Sequence, residues 1–255
     1  MNITPGIRYQ FNAVLEYAVL FQALTLHWLG KRPAADALSA AGLSVLIAEA
    51  KPSAGRKFLM AGKSGLNLTK DEPAGDFARA YDEAEDWLAP MLAAFGPEAV
   101  QDWARSLGQT VFTGSSGRVF PQAMKASPLL RTWLGRLGQA GVVLRTGMRW
   151  TGWGDGALRF TTTDGTVSIA PRVTVLALGG ASWARLGSDG AWAPILAAEG
   201  VALAPFRPAN MGFRVDWSEH MARHFGAPVK GAALIAGETR HRGEFVVSAR
   251  GLEGG

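Results

Sequence analysis

Hydrophobic positions near the start of the chain form short continuous runs with sharp ends. Residues 34–41 are rich in alanine and predict the end of a helix, which Gly42 terminates. The next apolar run, 43–48 (LSVLIA), is followed at once by Glu49. A short apolar run bounded by glycine and by a charge is typical of a strand buried inside a parallel sheet. This order of helix and strand predicts an α/β layer arrangement.

Helical periodicity marks two segments, the first with predicted helices over 77–95 and 97–107 and the second with a predicted helix over 127–140. In the first segment Trp87 and Leu88 lie on an apolar face at helical spacing, which predicts that both are buried. The second segment starts with Ser127 as a cap, followed by a proline in the first turn. Both segments are therefore predicted to be helical.

Short strand candidates separated by Asp-Gly turn signals follow these helices and predict a small antiparallel meander. They cover residues 142–144, 148–153, 157–162 and 166–169. The run 173–178 (VTVLAL) is again continuously apolar and ends on Gly179 and Gly180. A strand that ends on paired glycines favours a ligand site, because backbone without side chains can approach a ligand closely. From residue 201 onward, short strands and prolines predict the start of a β-rich second domain.

Composition changes this picture in one respect, which is redox chemistry. The chain has 255 residues and no cysteine, so a disulfide framework, a thiolate metal site and a cysteine nucleophile are excluded. Redox chemistry would therefore need a bound cofactor. At this length one large or two ordinary domains fit, and we expect two unequal ones.

The basic charge balance adds little to the functional prediction. The net charge is +5 and the isoelectric point is about 9.8, but the arginines are scattered and no run of five or six like charges exists. Nucleic-acid binding depends on clustered cations, so no nucleic-acid partner is expected and a basic nucleic-acid-binding module is only a remote alternative.

The N-terminal segment 11–29 is mostly apolar but carries Glu16, Gln22 and His27. We predict a packed helix here, with a membrane-spanning helix as the weaker alternative. No cleavable signal is recognisable, and a cytoplasmic location is predicted.

One loop concentrates the candidate chemistry. Glu49 stands where a dinucleotide-binding fold keeps a carboxylate for the ribose, although a surface glutamate explains it equally well. Gly55, Arg56 and Lys57, together with the loop 62–67, offer backbone N–H groups, cations and an amide that suit a diphosphate and a flat heterocycle. An ordinary flexible loop is an equal alternative on chemistry alone.

Other motifs are weaker. Gly62-Lys63-Ser64 resembles the end of a phosphate-binding P-loop, but the preceding glycine is at the wrong spacing. His220 and His224 have helical metal-ligand spacing without the glutamate of zinc peptidases, so no metal is predicted. No catalytic triad can be proposed from spacing, and the catalytic residues are left unassigned.

Three segments in this order resemble the BaiN-like flavoproteins, which are also called aminoacetone-oxidase-like or NAD(P)/FAD-dependent oxidoreductases. They are 38–69 (LSAAGLSVLIAEAKPSAGRKFLMAGKSGLNLT), 117–130 (GRVFPQAMKASPLL) and 173–182 (VTVLALGGAS). The resemblance runs from residue 33 to residue 255. It implies a Rossmann-type FAD-binding domain over residues 33–200 and the start of an inserted β-rich substrate domain over 201–255.

The resemblance also assigns cofactor-binding residues. Glu49 would hold the adenosine ribose, and residues 55–57 would line the adenosine and the pyrophosphate. The loop 62–67 would pass near the isoalloxazine, main-chain groups at Trp150 would bind adenine, and Gly179 and Gly180 would pass close to the dinucleotide. The complete set is Glu49, Gly55, Arg56, Lys57, Gly62, Lys63, Ser64, Gly65, Asn67, Trp150, Gly179 and Gly180. The implied activity is hydride transfer through the flavin to or from a small organic substrate, with NAD(P)H as a candidate reductant.

The resemblance ends in two places. The three glycines of the family fingerprint would fall on Leu26, Trp28 and Lys31, so residues 1–32 are expected to be an atypical N-terminal helix that replaces the first strand. Family members also continue beyond the rest of the inserted domain, so the chain is expected to be truncated after Gly255. The alternative function is a non-catalytic fragment of the family that binds no FAD.

Overall fold

A computed structural model describes residues 18–21, 34–61, 65–207 and 212–254 of the chain. The chain divides into two units, of which the first ends at Leu203 and the second begins at Ala204. The helices of the first unit are α1 (Ala34–Ala40), α2 (Arg56–Ala61), α3 (Ala74–Arg79), α4 (Glu85–Ala94), α5 (Pro97–Ser106), α6 (Ala126–Gln139) and α7 (Ala193–Ala198). Its strands are β1 (Ala18–Phe21), β2 (Val45–Glu49), β3 (Thr69–Lys70), β4 (Val111–Thr113), β5 (Arg118–Pro121), β6 (Val143–Thr146), β7 (Arg149–Gly154), β8 (Ala157–Thr162), β9 (Gly165–Ile169) and β10 (Val173–Leu176).

A parallel sheet in the order β10-β1-β2-β6 forms the centre of the first unit. Strand β1 pairs with β10 on one side and with β2 on the other, and Ala18 is opposite both Val173 and Val45. The predicted packed helix over residues 11–29 is therefore wrong at 18–21, where the chain is a strand. A short apolar run does not by itself distinguish a buried strand from a buried helix.

The remainder of that N-terminal prediction falls on residues outside those described. None of the helices in the described ranges is long and apolar enough to cross a membrane.

The predicted antiparallel meander is confirmed for three strands and is wrong for the first. Strands β7, β8 and β9 form an antiparallel sheet, with a bulge between Trp150 and Gly152. Strand β6 instead pairs in parallel with β2, from Leu46 opposite Val143 to Glu49 opposite Thr146. The tight turn at Gly147 directs the chain from one sheet into the other, and its φ of +70° favours glycine.

The predicted helix over 77–95 is divided in the structure. α3 ends at Arg79, and a 3-10 turn over Asp82–Ala84 precedes α4. Trp87 is 61% exposed whereas Leu88 is 2% exposed, so the predicted apolar face is only partly buried. Strand β5 lies between β3 and β4 in a small antiparallel sheet.

The two faces of β2 pack against two different hydrophobic clusters. Val45 and Ile47 belong to a cluster with helices α1, α5 and α6, in which Trp133 is 1% exposed. Ala48 belongs to a second cluster, formed mainly by the β7–β9 sheet and including Phe160. Because successive side chains of a strand point to opposite faces, the parallel sheet is covered on both sides.

The second unit is a β structure. Strands β11 (Phe213–Arg214), β12 (Pro228–Ala236), β13 (Thr239–Ser248) and β14 (Gly251–Gly254) form an antiparallel sheet in the order β11-β14-β13-β12. A 3-10 turn over Glu219–His224 precedes β12, and the indole Nε1 of Trp217 donates to the Ser248 carbonyl at 2.8 Å.

Candidate functional site

The carboxyl ends of β1, β2 and β10 lie along one edge of the parallel sheet. The chain order reverses at β1, with β2 and β6 on one side and β10 on the other. Ligands of open α/β sheets bind at the carboxyl edge where the strand order reverses. Glu49 ends β2, and Gly179 follows β10 by three residues, so both predicted residues belong to this edge.

Glu49 is a buried carboxylate, with only 5% of the residue exposed. Its Oε1 accepts the Lys51 N–H at 2.7 Å, and its carbonyl oxygen accepts the Met148 N–H at 2.9 Å. These bonds hold the end of β2 to the turn that leads into β7. The carboxylate therefore has a defined orientation at the edge of the sheet.

Gly55 immediately precedes α2, the helix that follows the Glu49 loop, and Arg56 is the first residue of that helix. Gly55 has a φ of +71°, and a Cβ added there would lie 2.7 Å from Cδ2 of Leu130 on α6. Both observations favour glycine at this position. The Nε of Arg56 is buried and has no hydrogen-bond partner among the described residues.

Lys57 connects this helix to the loop that follows β10. Its Nζ donates to Oγ of Ser182 at 2.9 Å, across a sequence separation of 125 residues. Partial burial lowers the pKa of Lys57 from its ordinary value, because desolvation disfavours the charged amine. Helix α2 and the loop after β10, which both carry predicted site residues, are thus joined by a direct contact.

Gly179 and Gly180 form a turn whose carbonyl groups accept hydrogen bonds from two side chains further along the chain. The Gly179 carbonyl accepts Nε1 of Trp192 at 3.0 Å, and the Gly180 carbonyl accepts Oγ of the buried Ser188 at 2.9 Å. A Cβ added at Gly180 would meet no described atom within 4 Å. The turn is therefore anchored, while the Cα of Gly180 faces open space.

An ion pair fixes the residues that anchor this turn. Oδ2 of Asp189 lies 3.1 Å from Nη1 of Arg149 on β7. Burial alone would raise the pKa of Asp189, but the Ala191 N–H and the Arg149 guanidinium stabilise the carboxylate, and the net effect is a lowered pKa. The glycine turn is thus tied to the β7–β9 sheet.

The loop before β3 carries further predicted residues. Gly62, Lys63 and Ser64 lie outside the described residues. Gly65 has a φ of +130°, and Oδ1 of Asn67 is buried without a hydrogen-bond partner in the described part of the chain. An unpaired buried acceptor is costly and marks a place where a ligand donor would be favourable.

Trp150 has a different environment from the other predicted residues. Its side chain is 7% exposed and packs edge-on against Trp153, with 4.7 Å between ring centroids. The indole belongs to the hydrophobic cluster beneath β2. The expectation concerned main-chain groups near Trp150 and stays a prediction.

Sequence reasoning missed the residues that hold the site in shape. Ser182 was quoted in a motif without a role, and Ser188 and Trp192 were not recognised as anchors. Their signal was weak, because a serine or a tryptophan in a loop has many possible partners. No group of three or more acidic or histidine side chains that could hold a metal occurs within the described ranges, and Nε2 of His224 accepts a bond from Arg223.

The residues along this edge fit a flavin dinucleotide. A buried carboxylate ends β2, two cations begin α2, an unpaired amide oxygen lies in the next loop, and bare glycine backbone follows β10. These are the groups that a ribose, a pyrophosphate, a heteroaromatic ring and a closely approaching backbone require.

A family model and a curated protein each match most of the chain. The family model described as HI0933-like protein Rossmann domain matches residues 33–247. The chain is 30% identical over 226 residues to the 3-dehydro-bile acid delta(4,6)-reductase of Clostridium scindens, and the alignment covers 86% of this chain and 54% of that protein. The chain thus spans about half the length of this curated relative.

Solved structures with similar segments include two proteins at 14% identity. The 3-ketosteroid-delta4-(5alpha)-dehydrogenase of Rhodococcus jostii RHA1 matches with a TM-score of 0.43, over 67% of this chain and 47% of that chain. Thermovibrio ammonificans THI4 matches with a TM-score of 0.39, over 65% of this chain and 57% of that chain.

Proposed function

Because this chain belongs to the HI0933-like family of FAD-binding, Rossmann-domain oxidoreductases, we propose that it binds FAD along the carboxyl edge of its parallel sheet. We further propose that it transfers hydride between the flavin and a small organic substrate, with a reduced nicotinamide dinucleotide as the electron donor. The observation that carries this proposal is the 2.9 Å bond from Lys57 to Ser182, which joins the segments following β2 and β10.

The polar atoms on the segment after β2 support the proposal. Arg56 Nε and Asn67 Oδ1 are buried without partners among the described residues. Leaving a buried polar group unpaired costs about 1–3 kcal/mol, so folds rarely retain such groups without a compensating use. A dinucleotide would supply an anion for the guanidinium and ring N–H donors for the amide oxygen.

The predicted site residues would bind the cofactor and would not themselves break or form bonds in the substrate. Glu49 would accept the ribose hydroxyls, since dinucleotide-binding folds keep a carboxylate for the ribose at this position. Arg56 and Lys57 would balance the pyrophosphate charge, and Gly179 and Gly180 would allow close approach of the backbone. FAD, when bound, supplies the hydride chemistry, and the protein orients it and sets its electrostatic environment.

Flavin binding is tested directly on the purified chain. We expect it to be yellow, or to bind one FAD when the colourless protein is titrated and flavin fluorescence is followed. Glu49→Gln and Lys57→Met should each weaken FAD binding about tenfold, because each removes a charge-assisted contact. Glu199→Gln, at an exposed glutamate on the same unit, is the matched control. A chain that neither retains nor binds FAD overturns the proposal.

Turnover is tested by colour changes of the bound flavin. NADH or NADPH should bleach the flavin absorbance under anaerobic conditions, and a suitable acceptor should restore it. The relative from Clostridium scindens is a 3-dehydro-bile acid delta(4,6)-reductase, so 3-dehydro-bile acids are the first acceptors to test. Failure of both nicotinamide dinucleotides to bleach a loaded protein would exclude them as donors.

A further inference from the structure

The small antiparallel sheet of β3, β5 and β4 has one buried face and one exposed apolar face. Val119 and Pro121 on β5 are both buried. Side chains alternate along a strand, so Phe120 lies on the opposite face, where Phe112 of β4 is paired with it. Their ring centroids are 5.8 Å apart, and Phe112 is 44% exposed. The outer face of an antiparallel sheet is normally polar, so this exposed aromatic pair needs an explanation.

Met124 extends this apolar face to the loop before β3. Its carbonyl accepts the Leu66 N–H at 3.0 Å. A Cβ added at Gly65 would lie 2.8 Å from Cε of Met124 and 3.8 Å from Cε1 of Phe120. Phe120 and Met124 therefore pack directly against Gly65, which belongs to the loop predicted to pass near the isoalloxazine.

The backbone at Met124 is strained. Its φ of +58° lies in the left-handed region, which residues with a side chain rarely adopt, and the residue is 37% exposed. Strained backbone is common at binding sites, where the surrounding structure holds it in place. Phe112, Phe120 and Met124 together form an apolar platform beside the predicted flavin loop.

The same face of the sheet carries a cation. Arg118 lies two residues before Phe120 on β5, so its side chain leaves the sheet on the same side. It is exposed and forms no ion pair with another described residue. Lys70, which is opposite Arg118 on β3, is instead paired with Glu72. A guanidinium beside an apolar surface suits a ligand that has both a carboxylate and an apolar body.

We propose that the apolar platform binds the substrate that exchanges hydride with the flavin, and that this substrate joins an apolar body to a carboxylate. The platform covers the apolar body, and Arg118 binds the carboxylate through two parallel hydrogen bonds. The inference rests on the proposed function, because it takes the loop that contains Gly65 to pass near the isoalloxazine. It adds the surface that holds the substrate and the chemical class that fits this surface.

The test uses titration calorimetry of the FAD-loaded chain with 2-naphthoate, which joins a carboxylate to two fused apolar rings. We expect saturable binding, about tenfold tighter than that of 2-naphthalenemethanol, the neutral compound with the same rings. The visible absorbance of the bound flavin should shift on binding, because the ligand lies beside the isoalloxazine. Equal affinity for the two compounds, or binding that leaves the flavin absorbance unchanged, would overturn the proposal.

Two substitutions separate the contributions of the platform and the cation. Phe112→Ser should weaken binding of both compounds about tenfold, because less apolar surface is covered. Arg118→Met should weaken binding of 2-naphthoate about tenfold and leave 2-naphthalenemethanol unchanged, whereas Arg118→Lys should retain part of the preference for the carboxylate.

Trp87→Ser and Arg172→Met are the matched controls for these substitutions. Trp87 is 61% exposed on α4, and Arg172 is exposed and immediately precedes β10, at the end of that strand opposite the glycine turn. Both control variants should bind the two compounds as the wild type does. Unchanged 2-naphthoate binding by either Phe112→Ser or Arg118→Met, with the fold verified by circular dichroism, would contradict the proposal.

FAD titration of the same variants separates this inference from the proposed function. A wild-type chain that binds no FAD overturns the proposed function and the substrate role of the platform with it. A chain that binds FAD but shows no binding of 2-naphthoate overturns the platform alone. Phe112→Ser and Arg118→Met should retain the FAD affinity of the wild type. A loss of FAD affinity as large as the loss of 2-naphthoate affinity would assign the platform to the cofactor and would overturn this inference.

Discussion

Two buried polar regions of the first unit differ in how their hydrogen bonds are satisfied. In the Asp36 cluster (Asp36, Trp103, Trp133 and Arg136), a single carboxylate oxygen accepts three donors. Oδ2 of Asp36 lies 3.2 Å from Trp103 Nε1, 2.9 Å from Trp133 Nε1 and 2.7 Å from Arg136 Nη2. The cluster ties α1 to α5 and α6, where the two indole rings also meet edge to face.

The Arg56 segment (residues 51–61 and 65–69) shows the opposite arrangement. Arg56 Nε, Asn67 Oδ1 and Thr69 Oγ1 are buried without hydrogen-bond partners among the described residues. Polar groups that hold the fold together are satisfied by the fold, whereas groups that bind a ligand are satisfied when the ligand arrives. The comparison therefore separates a structural polar cluster from one that we assign to binding.

Removing the carboxylate from the Asp36 cluster is expected to have the largest effect. Asp36→Ala leaves two indole N–H groups and a partly buried guanidinium without their acceptor, which should lower the free energy of unfolding by about 3–5 kcal/mol. Urea unfolding measures this change. Asp102→Ala removes a carboxylate whose pair with Arg105 is exposed, and should cost less than about 1 kcal/mol. Similar losses in the two variants would refute the structural role of Asp36.

A glycine substitution tests whether the Arg56 segment is firmly packed despite its unpaired polar atoms. Gly55→Ala adds a methyl group 2.7 Å from Leu130 at a φ of +71°, so backbone strain and overpacking together should cost about 2–4 kcal/mol. Gly42→Ala is the control, because its φ is +75° but its Cβ would meet nothing within 4 Å. Only the strain of about 1–2 kcal/mol is expected there. Equal losses would indicate that Leu130 moves aside.

Asn67→Leu addresses the difference between the two regions most directly. Leucine has nearly the same shape and removes the unpaired amide oxygen, so the free energy of unfolding should change by less than about 1 kcal/mol or increase. FAD affinity should fall about tenfold, because an acceptor for the flavin is lost. Urea unfolding and FAD titration of the same variant test both parts. A stability loss as large as that of Asp36→Ala would show that Asn67 is structural.

The smallest expected effect concerns pH and Lys57. Burial lowers the pKa of Lys57 in the folded chain below its ordinary value, which applies in the unfolded chain. At pH values between these two pKa values, the unfolded chain therefore binds more protons than the folded chain. The contribution of Lys57 to stability should therefore increase as pH rises through that alkaline window and stay constant below it. Wild type compared with Lys57→Met, by urea unfolding at several pH values, isolates this contribution. A difference that decreases with rising pH would contradict the assignment.

The local pattern of apolar runs and turn residues predicted more of the secondary structure than the short sequence motifs did. The apolar runs ending at Glu49 and Gly179 predicted two strands of the parallel sheet, and the Asp-Gly turns predicted the β7–β9 meander. Both predictions succeed because a buried strand and a tight turn are encoded in consecutive residues. The family resemblance added the Rossmann-type fold and the prediction that the chain binds a flavin.

Tertiary structure alone decided which segments meet. The apolar run 18–21 is compatible with a buried helix or with a buried strand. Only its pairing with β2 and β10 identifies it as a strand. Likewise, β6 belongs to the parallel sheet because it pairs with the edge of β2 that β1 does not occupy. Lys57 and Ser182 are 125 residues apart, and Asp36 and Arg136 are 100 apart. Residue order does not specify such contacts, because they depend on which loops and helices the folded sheet brings to the same edge or face.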